Sequence, residues 1–374
     1  MTNRKSAGRR SATTVASRAA ASSEWLHAGT AGLITLAAAI LVALATAVGA
    51  QQPAAPQGAA GFVYTANESG NSISAIDLAT GHVETVPLAI SPHNVQATAD
   101  GARLLAVGDP AADTNGHAGT GHAGEPEGQL VVFASKSLAS GAITSILVGD
   151  HPAHVVADRE GRYAFVTIAH EGTVAVVDLA SNEVVRSIDT GRYPHGLRIS
   201  PDGSAIYVAN VEDGSVSVLD PAKLAEVARI DVGKAPVQVG FTPDGSRVYV
   251  SLRDENSVAV IDTGTRAVVA RIAVGRNPIQ VHATPDGRFV YVANQGTEEE
   301  PANTVSVIDV ARGIVVDTIR TGAGAHGVAV SDDGRSVFVT NIVDGTVSLI
   351  AAEKRSVIAT FAVGRGPNGI TFAP

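Results

Sequence analysis

The sequence contains no cysteine. This excludes disulfides, thiolate zinc sites, iron–sulfur clusters, covalent haem attachment through CxxCH, cysteine nucleophiles and a lipid-modified cysteine. Aromatic residues make up 4% of the chain, too few for a base-stacking nucleic-acid platform. Charged residues are scarce at 17% against 45% hydrophobic, which excludes disorder for the bulk. No P-loop, no GxGxxG between strand and helix, no GxSxG elbow and no HExxH occurs. The Asp-Gly pairs lack the alternating carboxylates and distal Glu of a calcium loop. After residue 60 no stretch keeps a helical period for three turns.

Turn formers are abundant instead, with 39 Gly and 17 Pro. Residues 1–50 differ in kind from the rest. Their charges are Arg4, Lys5, Arg9, Arg10 and Arg18 against the single acid Glu24, followed by an apolar run from Ala31 to Val48. Small residues close the run at Val48-Gly49-Ala50. This pattern predicts an export signal, cleaved or retained as an anchor with Trp25 at the interface. Residues 51–57 read as a linker. Without residues 1–50 the net charge of −9 becomes −13. Such an acidic exported domain is a poor generic polyanion binder.

The remainder, 58–374, is periodic. Asp-Gly or Glu-Gly recurs with Gly at 101, 161, 203, 245, 287 and 334, at spacings of 60, 42, 42, 42 and 47. Each is followed by an apolar run ending near YVAN, such as Ala205–Asn210 and Phe289–Asn294. Then come a second run (SVSVLD, 215–220), a third ending in Gly (ARIDVG, 228–233) and a fourth starting at a Pro (PHGLRIS, 194–200). Short Val- and Ile-rich runs between turns predict four β-strands per unit. A period near 42 with four strands per unit predicts an all-β, seven-bladed β-propeller with antiparallel blades. The last segment, 367–374, has no strands after it, and the first, 57–67, lacks a strand before it. The C-terminal strand is therefore expected to complete the N-terminal blade and close the ring, which removes open sheet edges.

The order G-x-x-P, S/T-P-D-G, YVAN, SVxVID resembles the YVTN family of β-propeller repeat proteins over residues 58–374. The resemblance implies the fold and, since similar repeats occur in bacterial surface and periplasmic proteins, an exported location. It implies little about function, because most of the repeat is scaffold. Related propellers carry lactonase activity, a copper centre or a d1 haem, and one type is reported to bind nucleic acid.

In such a ring the innermost strand, A, lines the axis. The A–B turns lie on one face, and the B–C loops and D-to-A connections on the other. Both insertions, at about 109–129 and 297–301, fall in B–C loops, and loops on a rigid scaffold commonly carry function. The first contains His117 and His122 in repeated GHAG units beside Asp and Glu, a composition that suits a divalent metal or a solvated loop. At the start of strand A, His93, His195 and His326 occupy one structural position and His154 the next. Imidazoles converging on an axis suit copper or zinc. Strand alternation argues the other way, because His93, His195 and His326 share parity with Val95, Leu197 and Val328 and would then pack between blades. Arg192, Lys234, Arg276 and Arg365 follow the strand-D Gly and are expected to ring the same face, to hold an acidic partner or an anionic ligand or simply to cover apolar edges. Asn67, Asn210, Asn294 and Asn341 close strand B and are expected to serve turns. The leading expectation is a non-enzymatic propeller that binds a protein or small ligand at this loop face, with nucleic acid disfavoured by charge. The alternatives are a metal-centre or lactonase-type enzyme at the axial mouth, and nucleic-acid binding by family analogy.

Overall fold

The computed structural model describes residues 60–111 and 127–374. Residues 1–59, with the expected export signal and linker, and 112–126, with His117 and His122, lie outside the described residues. Among the described residues there are 28 strands, three short 3-10 turns and no α-helix. The strands form seven four-stranded antiparallel sheets. Six are runs of consecutive strands A to D. The seventh joins the last strand, Pro367–Ala373, to the first, Phe62–Asn67, with Phe62 opposite Ala373 and Val63 opposite Phe372. This sheet is blade 1, and blades 2 to 7 follow in chain order.

The strands form because their side chains alternate between two buried faces, and each face packs on the neighbouring blade. Tyr249, Val258 and Val260 of blade 5 share a cluster with Val281, Val290 and Val292 of blade 6. The Tyr of the YVAN run is fully buried at Tyr64, Tyr249 and Tyr291, and Tyr64 donates its hydroxyl to the Ser135 carbonyl in the next blade at 2.7 Å. Each such ring contributes about 1.5–3 kcal/mol by burial. No blade can bury both faces alone, so the ring is one cooperative body.

The strand-B asparagines do something other than serve turns. Asn67, Asn210, Asn294 and Asn341 are all 0% exposed. Each donates its side-chain amide to two strand-C hydroxyls, as Asn210 does to Ser215 at 3.0 Å and Ser217 at 2.9 Å. The glycine ending the preceding blade's strand D sits against this amide. A Cβ on Gly191 would lie 2.6 Å from Asn210 Cγ, which is why a side chain is missing there. The Asn therefore fastens strand B to strand C and to the neighbouring blade. The insertion at 297–301 is the tip of a hairpin in which Gly296 pairs with Pro301.

A candidate metal centre at the axial mouth

Strand A does not keep a simple alternation. In all seven blades its ladder with strand B slips just after the strand start, as between Pro194, opposite Asn210, and Leu197, opposite Val208. Such a bulge re-aims the residues within it. The two positions that follow the Pro therefore escape the parity of the apolar residues beyond them, and parity fails to predict where the histidines point.

The bulge brings His93 of blade 2, His154 of blade 3 and His195 of blade 4 together. One ring nitrogen from each lies within 4.8 Å of the others. His93 Nε2 and His195 Nε2 are 3.1 Å apart. The partners on the far side of each ring decide what this contact means. His195 Nδ1 lies 3.2 Å from the Val237 carbonyl, which only accepts, so Nδ1 carries the proton. His93 Nδ1 lies 3.1 Å from Glu68 Oε1. Burial opposes ionisation of Glu68, but hydrogen bonds and charge from His93, with the Asn368 amide at 2.5 Å, outweigh it and bring Glu68 down to about 2. Glu68 is thus a carboxylate beside His93. His93 Nδ1 also lies 3.2 Å from the Asn368 amide nitrogen, so the contact between the two Nε2 atoms is a hydrogen bond when His93 carries its proton on Nε2 and is open to a shared cation when it does not.

His154 is fully buried, and its Nε2 has no hydrogen-bond partner. Its Nδ1 has only a long 3.4 Å contact with Gln238 Nε2. Desolvation, followed by the proximity of His195 and His93, pushes His154 well below the ordinary imidazole range. Desolvation and the His93 charge do the same to His195. Neutral imidazoles are the ligand form.

His326, expected in the same group, is absent from the trio. It sits on blade 7, 6% exposed, with Nδ1 at 3.2 Å from the Asn368 carbonyl, and burial brings it down to about 4. Residues beside the trio complete the mouth. His151 Nδ1 is 2.7 Å from Asp109 Oδ2, and this hydrogen bond raises its pKa against the opposing effect of burial. His170 stacks on His151 with centroids 4.6 Å apart and lies 3.1 Å from Asp150. Sequence reasoning missed Glu68, His151 and His170, and took Asp109 only as an acid beside His117 and His122. The one available signal was histidine density, since five of the eleven histidines (93, 151, 154, 170 and 195) belong to this side of the mouth.

The basic residues are exposed on the loop face, but two are neutralised there. Arg192 Nε pairs with Asp213 at 2.7 Å, and Arg276 pairs with Glu300 at 2.5 Å. Arg365 donates to the Ser69 carbonyl at 3.1 Å. Lys234 uses its backbone N–H, at 2.7 Å from Glu255. The same B–C-loop carboxylate caps the connection entering the blade in blades 3, 4, 5 and 7, through Glu171, Asp213, Glu255 and Asp344. These acids are loop fasteners.

Comparison with known proteins bears on the fold. Residues 244–373 match the family model of the YNCE-like beta-propeller, and residues 127–249 match that of the cytochrome D1 heme domain. No curated protein matches the sequence. Among solved structures, hydrazine synthase of Kuenenia stuttgartiensis is 20% identical with a TM-score of 0.65, covering 76% of this chain and 90% of that one. A functionally unknown protein from Desulfotomaculum acetoxidans DSM 771 is 16% identical with a TM-score of 0.68, covering 84% of this chain and 99% of that one. At these identities the likeness is one of fold. The chain is a seven-bladed β-propeller protein whose repeat is close to that of the YVTN family.

Proposed function

We propose that the protein binds one divalent transition-metal ion, copper or zinc, through His93, His154 and His195 at the axial mouth. The observation that carries this reading is the convergence of one ring nitrogen from each of the three histidines within 4.8 Å, with His93 Nε2 and His195 Nε2 3.1 Å apart. Two nitrogens each about 2.0–2.1 Å from one tetrahedral ion stand about 3.3 Å apart, close to the separation here. The orphaned, neutral His154 supplies the third donor. Glu68, fixed by Asn368, orients His93 in the manner of a carboxylate–histidine–metal triad. Three imidazoles leave a fourth position for a ligand from the loop side.

A haem fits these residues poorly. Its macrocycle fills four iron positions and leaves two axial ones on opposite sides, whereas three mutually close imidazoles surround a space of single-ion size. The reading includes export by residues 1–50, tested by mapping the N-terminus of the secreted protein by mass. The small molecule or partner protein of the leading sequence expectation would meet the ion's open position.

The test is metal analysis of the full chain after exposure to copper(II) and to zinc, followed by calorimetric titration. One ion per chain is expected, with binding abolished in His195→Ala and weakened 10- to 100-fold in Glu68→Gln. Failure of the unmodified protein to retain either metal, or unchanged binding in folded His195→Ala, overturns the reading.

A further inference from the structure

Deeper in the ring the wall of the axial tunnel changes character. No strand A carries an Asp or a Glu, and Arg198 of blade 4 is the one Lys or Arg on those seven strands. The chain as a whole is net negative at −9, so an unmatched cation at its centre stands out. Among the described residues Arg198 forms no ion pair. Its one side-chain hydrogen bond is to the neighbouring Leu197 carbonyl, at 2.9 Å. Burial lowers Arg198 only to about 10, so the guanidinium stays charged at neutral pH.

The position of Arg198 follows from its neighbours. Arg198 sits in mid-strand on Pro194–Ile199, the strand of blade 4 nearest the axis, and is partly accessible. Gln96, Arg198 and His282 share one position on their strands and are partly accessible, while the preceding Val95, Leu197 and Val281 are buried. The other four residues at this position, Val156, Gly240, Ala329 and Thr371, are buried, so the accessible side is that of Gln96, Arg198 and His282. Thr371 holds the same position on blade 1, and Gln96 Nε2 reaches it and the Ala97 carbonyl only through long 3.4 Å contacts. One residue nearer the mouth, Gln280 is 1% exposed and its Nε2 has no partner. A buried charge without a partner is costly, and a guanidinium offers five N–H groups in a planar fork that matches an oxyanion.

We propose that Arg198, on the innermost strand of blade 4, binds a small oxyanion of phosphate or sulfate size through its guanidinium. The site is separate from the metal centre and does not depend on it. The histidines lie between it and the loop face, so an anion entering from that face passes them.

The test is calorimetric titration of the full chain with inorganic phosphate, after treatment with a chelator so that no metal takes part. Saturable binding of one phosphate per chain is expected, weakened at least tenfold in Arg198→Met and left unchanged in Arg192→Met, a surface arginine. Lack of saturable binding by the unmodified protein overturns the proposal. So does equal binding by folded Arg198→Met, or phosphate binding that appears only when copper or zinc is present, which would place the anion on the ion. Should Arg198→Met not fold, Arg198→Lys keeps the charge without the fork, and a loss of binding there carries the same meaning.

Discussion

On the turn face of the ring, five blades repeat one device. The hydroxyl of Thr98, Ser200, Thr242, Thr284 or Ser331 donates to the Asp two residues on, at 2.5–2.6 Å each time, and the following Gly takes a positive φ. On the loop face the blades diverge. Blade 1 contributes Glu68, blade 2 His93 and Asp109, blade 3 His151, His154 and His170, and blade 4 His195. The first face solves one folding problem several times over. The second is where the repeat has been broken, and the breaks cluster on blades 1 to 4. In a repeat protein the departures from the repeat point to chemistry more reliably than the motif does.

That contrast can be attacked at three levels. The largest effect is expected from removing residues 367–374, which serve both faces by closing blade 1. Calorimetry should then show no cooperative melting transition, since blade 1 loses its inner strand, Ile370 included, and exposes the cluster around Val63. An unchanged transition would mean the ring does not depend on closure. The intermediate test compares two glycines. Gly203, in an A–B turn, has φ +76° and no atom within 4 Å of the point a Cβ would occupy, so Gly203→Ala should cost about 1 kcal/mol through backbone strain alone. Gly191, under the loop face, would set its Cβ 2.6 Å from both Asn210 Cγ and Asp213 Oδ2, and Gly191→Ala should cost about 1–3 kcal/mol. Denaturant unfolding ranks the two, and the reverse order would remove the claim that the loop face is the more tightly built. The smallest effect is expected at Arg276, whose exposed pair with Glu300 contributes about 0.2–1 kcal/mol. Arg276→Ala should leave metal retention unchanged, and a lost metal would return the basic rim to the site.

The fold was legible because repetition multiplies a weak signal. A single Val-rich run is ambiguous, but seven at one period, each with its turn, define blades and their number. Ring closure followed from matching the two incomplete ends. The site was legible only in part, for two physical reasons. Alternation assumes a regular strand, and the bulge at the start of every strand A breaks it, so His93 and His195 turn toward His154 where parity sent them between blades. Glu68 was hidden, and the histidine partner of Asp109 with it, because these pairs are 25 and 42 residues apart, separations that only the stacking of neighbouring blades makes short. The buried Asn of strand B was misread for a related reason. Asparagine at a strand end suggests a turn, and its two hydroxyl partners lie on the next strand, at fixed offsets that are recognised as a network only once the register is known.

The pairing of Phe62–Asn67 with Pro367–Ala373 has a consequence for the order of events during synthesis. The partners lie roughly three hundred residues apart, so bringing them together has a high entropic cost and comes late. Blades 2 to 7 can stack as they emerge, but blade 1 waits for the strand Pro367–Ala373. Until then strand B of blade 1 shows an unpaired edge, the kind of surface that proteases and other chains recognise. A chain cut short anywhere before residue 367 keeps that edge exposed, so the closing strand acts as a check that all seven blades have been made.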